Sequence, residues 1–326
     1  MKSTEGIFIG VDLGGTNIEA AAVQNGQVLA SKNIETNAKK GSETVINRVV
    51  KVSRAVMDKL DAQPGDIRAL CIGAPGAVEL NTGVVSNAPN LGWKDVPLAA
   101  QLQERLGIPV FLENDVNIGV AGEYAYGAGQ GAEHMIGIFV GTGIGGCVVI
   151  NGEIHYGSRG AAGEIGHMVV VPHGRICGCG KRGCVEAYAS KTGITKAIQE
   201  ELEKGRKSIL ADLVDKKGQL VLTSSQIAEA LELGDALMIE VIQEAQFYLA
   251  LLTANLVNIL DPDLIVFGGG LVEQLGELFI KPIRETAPKY YLQQTDAERI
   301  QILSGTLGDH AGPIGAAVVA QKRLKV

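Results

Sequence analysis

The sequence predicts an α/β protein of two related lobes, and three observations carry that expectation. The first is length: 326 residues exceed the ~100–200 of one ordinary domain. The second is glycine, 43 of 326 residues or about 13% against a usual ~7%, in a chain that is 46% hydrophobic with only 10 prolines. That mixture excludes collagen, which needs strict triplets, and low-complexity disorder. The glycines therefore belong to tight turns and close backbone approaches. The third is a pattern at residues 7–26 that returns at 135–152: strand, glycine-rich polar turn, strand, Asn-Gly turn. Chance similarity between glycine turns is the alternative reading of this repeat.

The chain opens with a β-branched run that ends in the polar turn Gly14-Gly15-Thr16-Asn17. Ile18–Val23 reads as a second strand, and Asn25-Gly26 as a hairpin turn into Gln27–Ser31. Val45, Val49, Val52, Val56 and Leu60 recur at helical spacing, which predicts a helix over Ser42–Leu60 with Ser42 as N-cap. Ile67–Ile72 is a strand closed by Gly73-Ala-Pro-Gly76. A helix at Leu98–Leu106 then leads to the strand Val110–Leu112 and the polar corner Glu113-Asn114-Asp115. The second half restarts with the strand Met135–Val140, the turn Gly141-Thr-Gly-Ile-Gly-Gly146, the strand Cys147–Ile150 and the turn Asn151-Gly152. A long helix over Asp235–Leu260 stops at Asp261-Pro262, because proline cannot continue it. The strand Leu264–Phe267, the turn Gly268-Gly-Gly270 and a helix over Ala311–Leu324 complete the pattern.

Charge narrows the partners. With 29 Lys+Arg against 36 Asp+Glu, the net charge is −7 and no dense basic block exists, which argues against nucleic acid. The uncharged run Ala245–Leu260 falls short of the ~20 residues that span a bilayer and contains Gln246, Asn255 and Asn258. Asp12 interrupts the apolar start, so no signal peptide is expected. The expectation is a cytoplasmic protein without a membrane partner.

Two glycine turns after buried strands, each with a threonine, suit anion contact. Glycine lets amide N–H groups approach phosphate oxygens, and a threonine hydroxyl adds a donor. Gly14, Gly15, Thr16 and Asn17 are the first such set; Gly141, Thr142 and Gly143 are the second. Gly269 and Gly270, after a third strand, join them. Each turn alone could be a plain hairpin; together they favour a nucleotide held between lobes. Neither is a Walker loop, since no Gly-Lys-Ser/Thr follows. Asp12 at a strand end suits Mg²⁺ through water.

Asp115, also at a strand end, is placed to accept a proton from an attacking hydroxyl, although an Asn-Asp pair there also serves as a turn or helix cap. His167, Cys177, Cys179 and Cys184 offer one imidazole and three thiolates, the donor set of a closed structural zinc site; a redox thiol cluster is the alternative. Cys71 and Cys147 stand alone in apolar segments and read as inert core.

Together these pieces resemble the ROK (repressor, open reading frame, kinase) sugar kinases over nearly the whole chain. Asp12-Leu-Gly-Gly-Thr-Asn17 and Gly141-Thr-Gly-Ile-Gly-Gly146 resemble the two phosphate motifs. Gly163-Glu-Ile-Gly-His167 and Cys177-Gly-Cys-Gly-Lys-Arg-Gly-Cys-Val-Glu186 resemble the two family signatures, the second being highly specific. The resemblance implies an actin-like (ribonuclease H-like) duplicated fold of two α/β lobes closing on substrate. It implies an N-terminal lobe over 1–118 completed by a C-terminal helix at 305–326, and a second lobe over 119–304 carrying the zinc loop. It further implies ATP and Mg²⁺ as cofactors, structural Zn²⁺, Asp115 as catalytic base, and Asn90, Asn114, Glu164, His167 and Glu186 on sugar hydroxyls. His167 would serve zinc through one nitrogen and sugar through the other.

Some family members are repressors with an N-terminal helix-turn-helix; with the first strand starting near residue 7, none is expected here. Asn87-Ala-Pro-Asn-Leu-Gly-Trp93 and the stretch from Gly308 to Gly315 resemble the glucokinase branch, with His310 where many members carry asparagine. The implied activity is ATP-dependent phosphorylation of the glucose 6-hydroxyl. Kinases of N-acetylmannosamine, fructose, mannose or allose, and a non-catalytic sugar sensor, are the alternatives. The family habit implies a homo-oligomer, dimer or tetramer. Trp93 is expected to pack rather than stack on sugar.

Overall fold

Alternation along the first strand decides how the N-terminal unit is layered. In a computed structural model that describes residues 6–324, β1 (Ile7–Leu13) sends Ile9, Val11 and Leu13 into one core and Phe8 into another. β2 (Asn17–Gln24) and β3 (Gln27–Glu35) follow as antiparallel hairpins; α1 (Ser42–Asp58) then leads to β4 (Ile67–Ala74). A small antiparallel sheet of β5 (Ala77–Glu79), β6 (Val84–Ala88) and β7 (Trp93–Val96) precedes α2 (Leu98–Leu106), β8 (Val110–Asn114) and α3 (Asp115–Tyr126). The main sheet has the order β3-β2-β1-β4-β8, with β4 parallel to both β1 and β8.

The second unit contains β9 (Met135–Val140), β10 (Ile144–Ile150) and the start of β11 (Glu153–Ile154). Four helices follow: α4 (Glu186–Ala189), α5 (Lys191–Glu203), α6 (Ser224–Glu232) and α7 (Ala236–Leu260). The chain then forms β12 (Leu264–Gly268), α8 (Gly270–Leu275), α9 (Glu277–Thr286) and β13 (Gln301–Ser304). The sheet order β11-β10-β9-β12-β13 repeats that of the first sheet, again with an antiparallel hairpin and two parallel pairings at corresponding places. The duplication expected from two glycine turns is thus a duplication of sheet topology.

One face of the first sheet carries α1 and α2, with Ile18, Ile72, Leu98 and Leu102 in its core. The other face is built from small residues, Ala21, Ala69 and Cys71, and receives α3 and the returning helix α10 (Ala311–Arg323). The fit there is backbone-close: a methyl on Gly10 would strike the Pro313 carbonyl, and one on Gly315 the Ile118 carbonyl. This packing corrects the expected lobe limit at residue 118. α3 runs through that point and stays whole in the first unit, which extends to Gly131 and also takes in Ile154–Ala162 and the chain from Thr306. The second unit spans Ala132–Glu153 and Gly163–Gly305. Residues 1–5 and 325–326 of the expected first lobe lie outside the described residues.

Other differences are local. Gly41 at φ 89° occupies the cap position expected for Ser42, which is instead the first helical residue. Trp93, 3% exposed, packs into the core of the first unit with Val85 and Leu91. α7 is long and apolar enough by length and composition to cross a membrane, yet its buried residues, such as Leu237, Val241, Leu249 and Leu256, form the core of the second unit. Glu240 is exposed and Glu244 half-buried, so the helix accommodates charges that interrupt the apolar run. Asp235 caps it by accepting the Met238 amide at 2.8 Å.

Candidate active site

The register of three parallel strands gathers the first unit's polar groups. Asp12 pairs with Gly73, Gly73 with Glu113, and Ala74 with Asn114, so β1, β4 and β8 end together. Open α/β sheets place ligands at such carboxyl ends. Asp12 lies on the α10 face of β1, where Gly312 makes room for its carboxylate. Burial, then the neighbouring Asp115, Glu19 and Asp309 charges, push its carboxyl up to about 7. A carboxylate so held gains from a cation, the environment a hydrated Mg²⁺ would relieve.

Gly14–Asn17 turns sharply because Gly14 donates its amide to the Asn17 carbonyl at 2.9 Å. The Thr36 hydroxyl donates to the Gly14 carbonyl at 2.6 Å and stiffens the turn. Gly15, Thr16 and Asn17 are exposed at its tip. Exposed Asn90 lies against this turn, with its Cβ 3.7 Å from where a Gly15 Cβ would stand.

Asn114 caps α3: its Oδ1 accepts the amides of Val116 at 2.9 Å and Asn117 at 3.2 Å. Asp115 is the first helical residue, half-buried, and its Oδ1 also accepts the Val116 amide at 2.9 Å. The cap and the carboxylate therefore coexist, one residue each.

In the second unit, Gly141 donates to the Gly143 carbonyl at 2.9 Å and Thr142 is exposed at the tip. Lys191 at the start of α5 donates its amide to the Gly141 carbonyl at 2.9 Å, and the Thr192 hydroxyl donates to the Thr142 carbonyl at 2.7 Å. Parallel pairing of β12 with β9 brings Gly269 against Val140, so the second glycine turn and Gly269-Gly270 are neighbours. Gly269 has φ 88°, which suits glycine alone.

His167, Cys177, Cys179 and Cys184 place their donor atoms within 4.8 Å of one another. A tetrahedral zinc with Zn–S about 2.3 Å and Zn–N about 2.0 Å has S–S edges of about 3.8 Å and S–N edges of about 3.5 Å. Cys179 Sγ is 3.8 Å from Cys184 Sγ, and Cys177 Sγ is 3.6 Å from His167 Nδ1. The donors fit that ion. Hydrogen bonding to the Lys181 amide pulls the Cys179 thiol below its usual range, while burial pushes the Cys177 and Cys184 thiols up, so a metal would displace protons from those two. Gly183, at φ 84°, lets the loop fold back where any side chain would strike the Val171 carbonyl. His167 Nε2 faces Glu164 Oε2 at 4.0 Å, leaving that edge of the ring on the side of a carboxylate that is 71% exposed.

The expected residues thus form two clusters, one in each unit, and each cluster contains a glycine turn. A family model described as the ROK family matches residues 8–323. The chain belongs to the ROK family. It is 37% identical to a glucokinase of Halalkalibacterium halodurans over 97% of this chain and 95% of that one. A solved ROK-family glucokinase of Streptomyces griseus, in complex with glucose and AMPPNP, matches with TM-score 0.83 and 32% identity over 97% of this chain and 100% of that one. A xylose repressor of Caldicellulosiruptor bescii is 30% identical over 86% of this chain and 69% of its own length.

Sequence reasoning missed three groups in this ROK chain. Glu113, fully buried, accepts the Asn114 amide and Asn117 Nδ2 at 3.0 Å each through Oε1, and the Tyr156 hydroxyl at 2.9 Å through Oε2. Arg323 donates to the same Oε2 at 2.6 Å. Glu19 lies 3.0 Å from His310 Nδ1, beside Asp12. The signal was present at Glu19: it is a lone charge in β2, a strand buried on both faces.

Proposed function

We propose that this protein is an ATP-dependent glucokinase, transferring the γ-phosphoryl group of ATP to the 6-hydroxyl of glucose. The observation that carries the mechanism is Asp115, a carboxylate at the carboxyl end of β8 held by its own helix turn. Asp115 takes the proton of the 6-hydroxyl as that oxygen attacks the γ-phosphorus. The new O–P bond forms while the bond from phosphorus to the β–γ bridging oxygen breaks, releasing ADP. Positioning and charge supply most of the catalysis in such transfers.

Asn90, Asn114, Glu164, His167 and Glu186 bind the hexose in this reading. Gly14, Gly15, Thr16, Asn17, Gly141, Thr142, Gly143, Gly269 and Gly270 receive the nucleotide. Asp12 would hold Mg²⁺ through water, and the ion supplies neutralising charge at the phosphates. Zn²⁺ would be structural, held by His167, Cys177, Cys179 and Cys184, fixing the loop that carries His167. A cytoplasmic location and a homodimer or homotetramer belong to the same reading.

The likeness to glucokinases along the whole chain supports glucose over other hexoses. A coupled ADP-release assay against glucose, mannose, fructose, allose and N-acetylmannosamine tests it. Glucose is expected to give the highest kcat/KM. If no sugar stimulates ADP release while one raises the melting temperature, a sensor replaces the kinase.

A further inference from the structure

Glu186 touches two things at once. Its Oε2 accepts the amide N–H of Ile144 at 2.9 Å, at the end of the second glycine turn. Its Oε1 lies 3.3 Å from Cys177 Sγ and 4.0 Å from His167 Nδ1. The carboxylate therefore spans from the metal-ligand cluster to the glycine turn, two features 42 residues apart in sequence at the Glu186–Ile144 bond. Gly143 makes the contact possible, because a Cβ there would stand only 2.5 Å from Oε2. The side chain is 21% exposed, so these hydrogen bonds are shielded from competing water.

We propose that Glu186 is a positioning residue for the phosphate-binding turn and so for nucleotide affinity. The proposal rests on the kinase reading above for the role of that turn, and adds a second duty to a residue assigned there to the hexose. Three other contacts frame the same turn: the Lys191 amide, the Thr192 amide and the Thr192 hydroxyl all reach carbonyls of Gly141 or Thr142. They anchor its first half to α5, whereas Glu186 anchors the second half, at Ile144. Releasing Glu186 leaves Ile144 to its strand pairing with Val140 and Gly143 to the bond its carbonyl accepts from the Gly141 amide.

The test measures AMPPNP binding with Mg²⁺ by calorimetry, with no sugar present, on the full chain. In the metal-loaded protein, Glu186→Ala is expected to weaken AMPPNP by about tenfold, the scale of one lost hydrogen bond to a charged acceptor. Glu186→Gln keeps an acceptor for Ile144 and is expected to bind AMPPNP within about threefold of wild type. Should the alanine variant fail to fold, Glu186→Asp takes its place, since one methylene less cannot reach both partners. Wild-type affinity in Glu186→Ala or Glu186→Asp overturns the proposal. A variant that moves only the glucose KM leaves Glu186 a sugar ligand and nothing more. A wild-type chain that binds no AMPPNP overturns the kinase reading, and the positioning role with it.

Discussion

Glu113 and Arg323 form an ion pair at 2.6 Å, with the carboxylate fully buried and the guanidinium 22% exposed. Arg323 is the last residue of α10, and Glu113 immediately precedes the cap of α3. The C-terminal helix is thereby tied to the turn that presents Asp115. The second guanidinium nitrogen donates to the Leu112 carbonyl at 2.7 Å, and the Tyr156 hydroxyl completes the set. Burial and the Glu113 charge push the Tyr156 phenol up, so it remains a donor.

Arg323→Leu should therefore destabilise the first unit by about 3–5 kcal/mol, because a buried carboxylate loses its cation. Urea unfolding gives the value. Adding Glu113→Gln should restore part of it, since the stranded charge is gone. A loss under about 1 kcal/mol would show that Glu113 is held by its neutral donors alone.

Asp115→Asn keeps the shape of the residue and removes the proton acceptor. Turnover should fall by about 10²–10⁴ or more, while glucose binding stays within a few-fold. ADP release and calorimetry separate the two effects. Near wild-type turnover would remove Asp115 from the role of base.

The raised carboxyl of Asp12 gives a pH dependence with a definite sign. The folded chain holds that proton up to about pH 7, against an ordinary value of 3.8. The native state thus binds more protons than the unfolded one across this window. Its contribution to stability is present at low pH and lost as pH rises toward 7. Asp12→Asn should flatten that slope in thermal melts taken between pH 4 and 8. Mg²⁺-nucleotide binding near pH 6.5 should release a proton from the wild type and none from the variant; buffers of different ionisation enthalpy report it in calorimetry.

Metal analysis of the purified protein should find about one zinc per chain, as a closed four-ligand site requires. Cys184→Ala deletes a buried ligand and should lower both the metal content and the melting temperature. Full zinc occupancy in that variant would exclude Cys184 as a ligand.

Much of this was legible from the residues in order. The Asn-Gly hairpins are real: Asn25 and Asn151 have φ 52° and 51°, each followed by a glycine at positive φ. The helix at Leu98–Leu106 has the expected limits, since Gly107 ends it in the left-handed region. The cysteine cluster was readable because its three thiols lie within eight residues, and only His167 had to be brought in from ten residues before Cys177. The lobe limit was not legible. Residue 118 falls inside α3, and only the close fit of Gly122 and Gly315 shows which unit that helix joins.

The order of residues by itself determined the elements and the motifs, because hydrophobic period, turn chemistry and ligand spacing act over a few residues. Tertiary structure decided what the charges do. Glu19 meets His310 across 291 positions, Glu113 meets Arg323 across 210, and Glu186 meets Ile144 across 42. A carboxylate's behaviour is set by the burial and donors around it. Those neighbours are chosen by sheet register and helix packing, not by sequence distance.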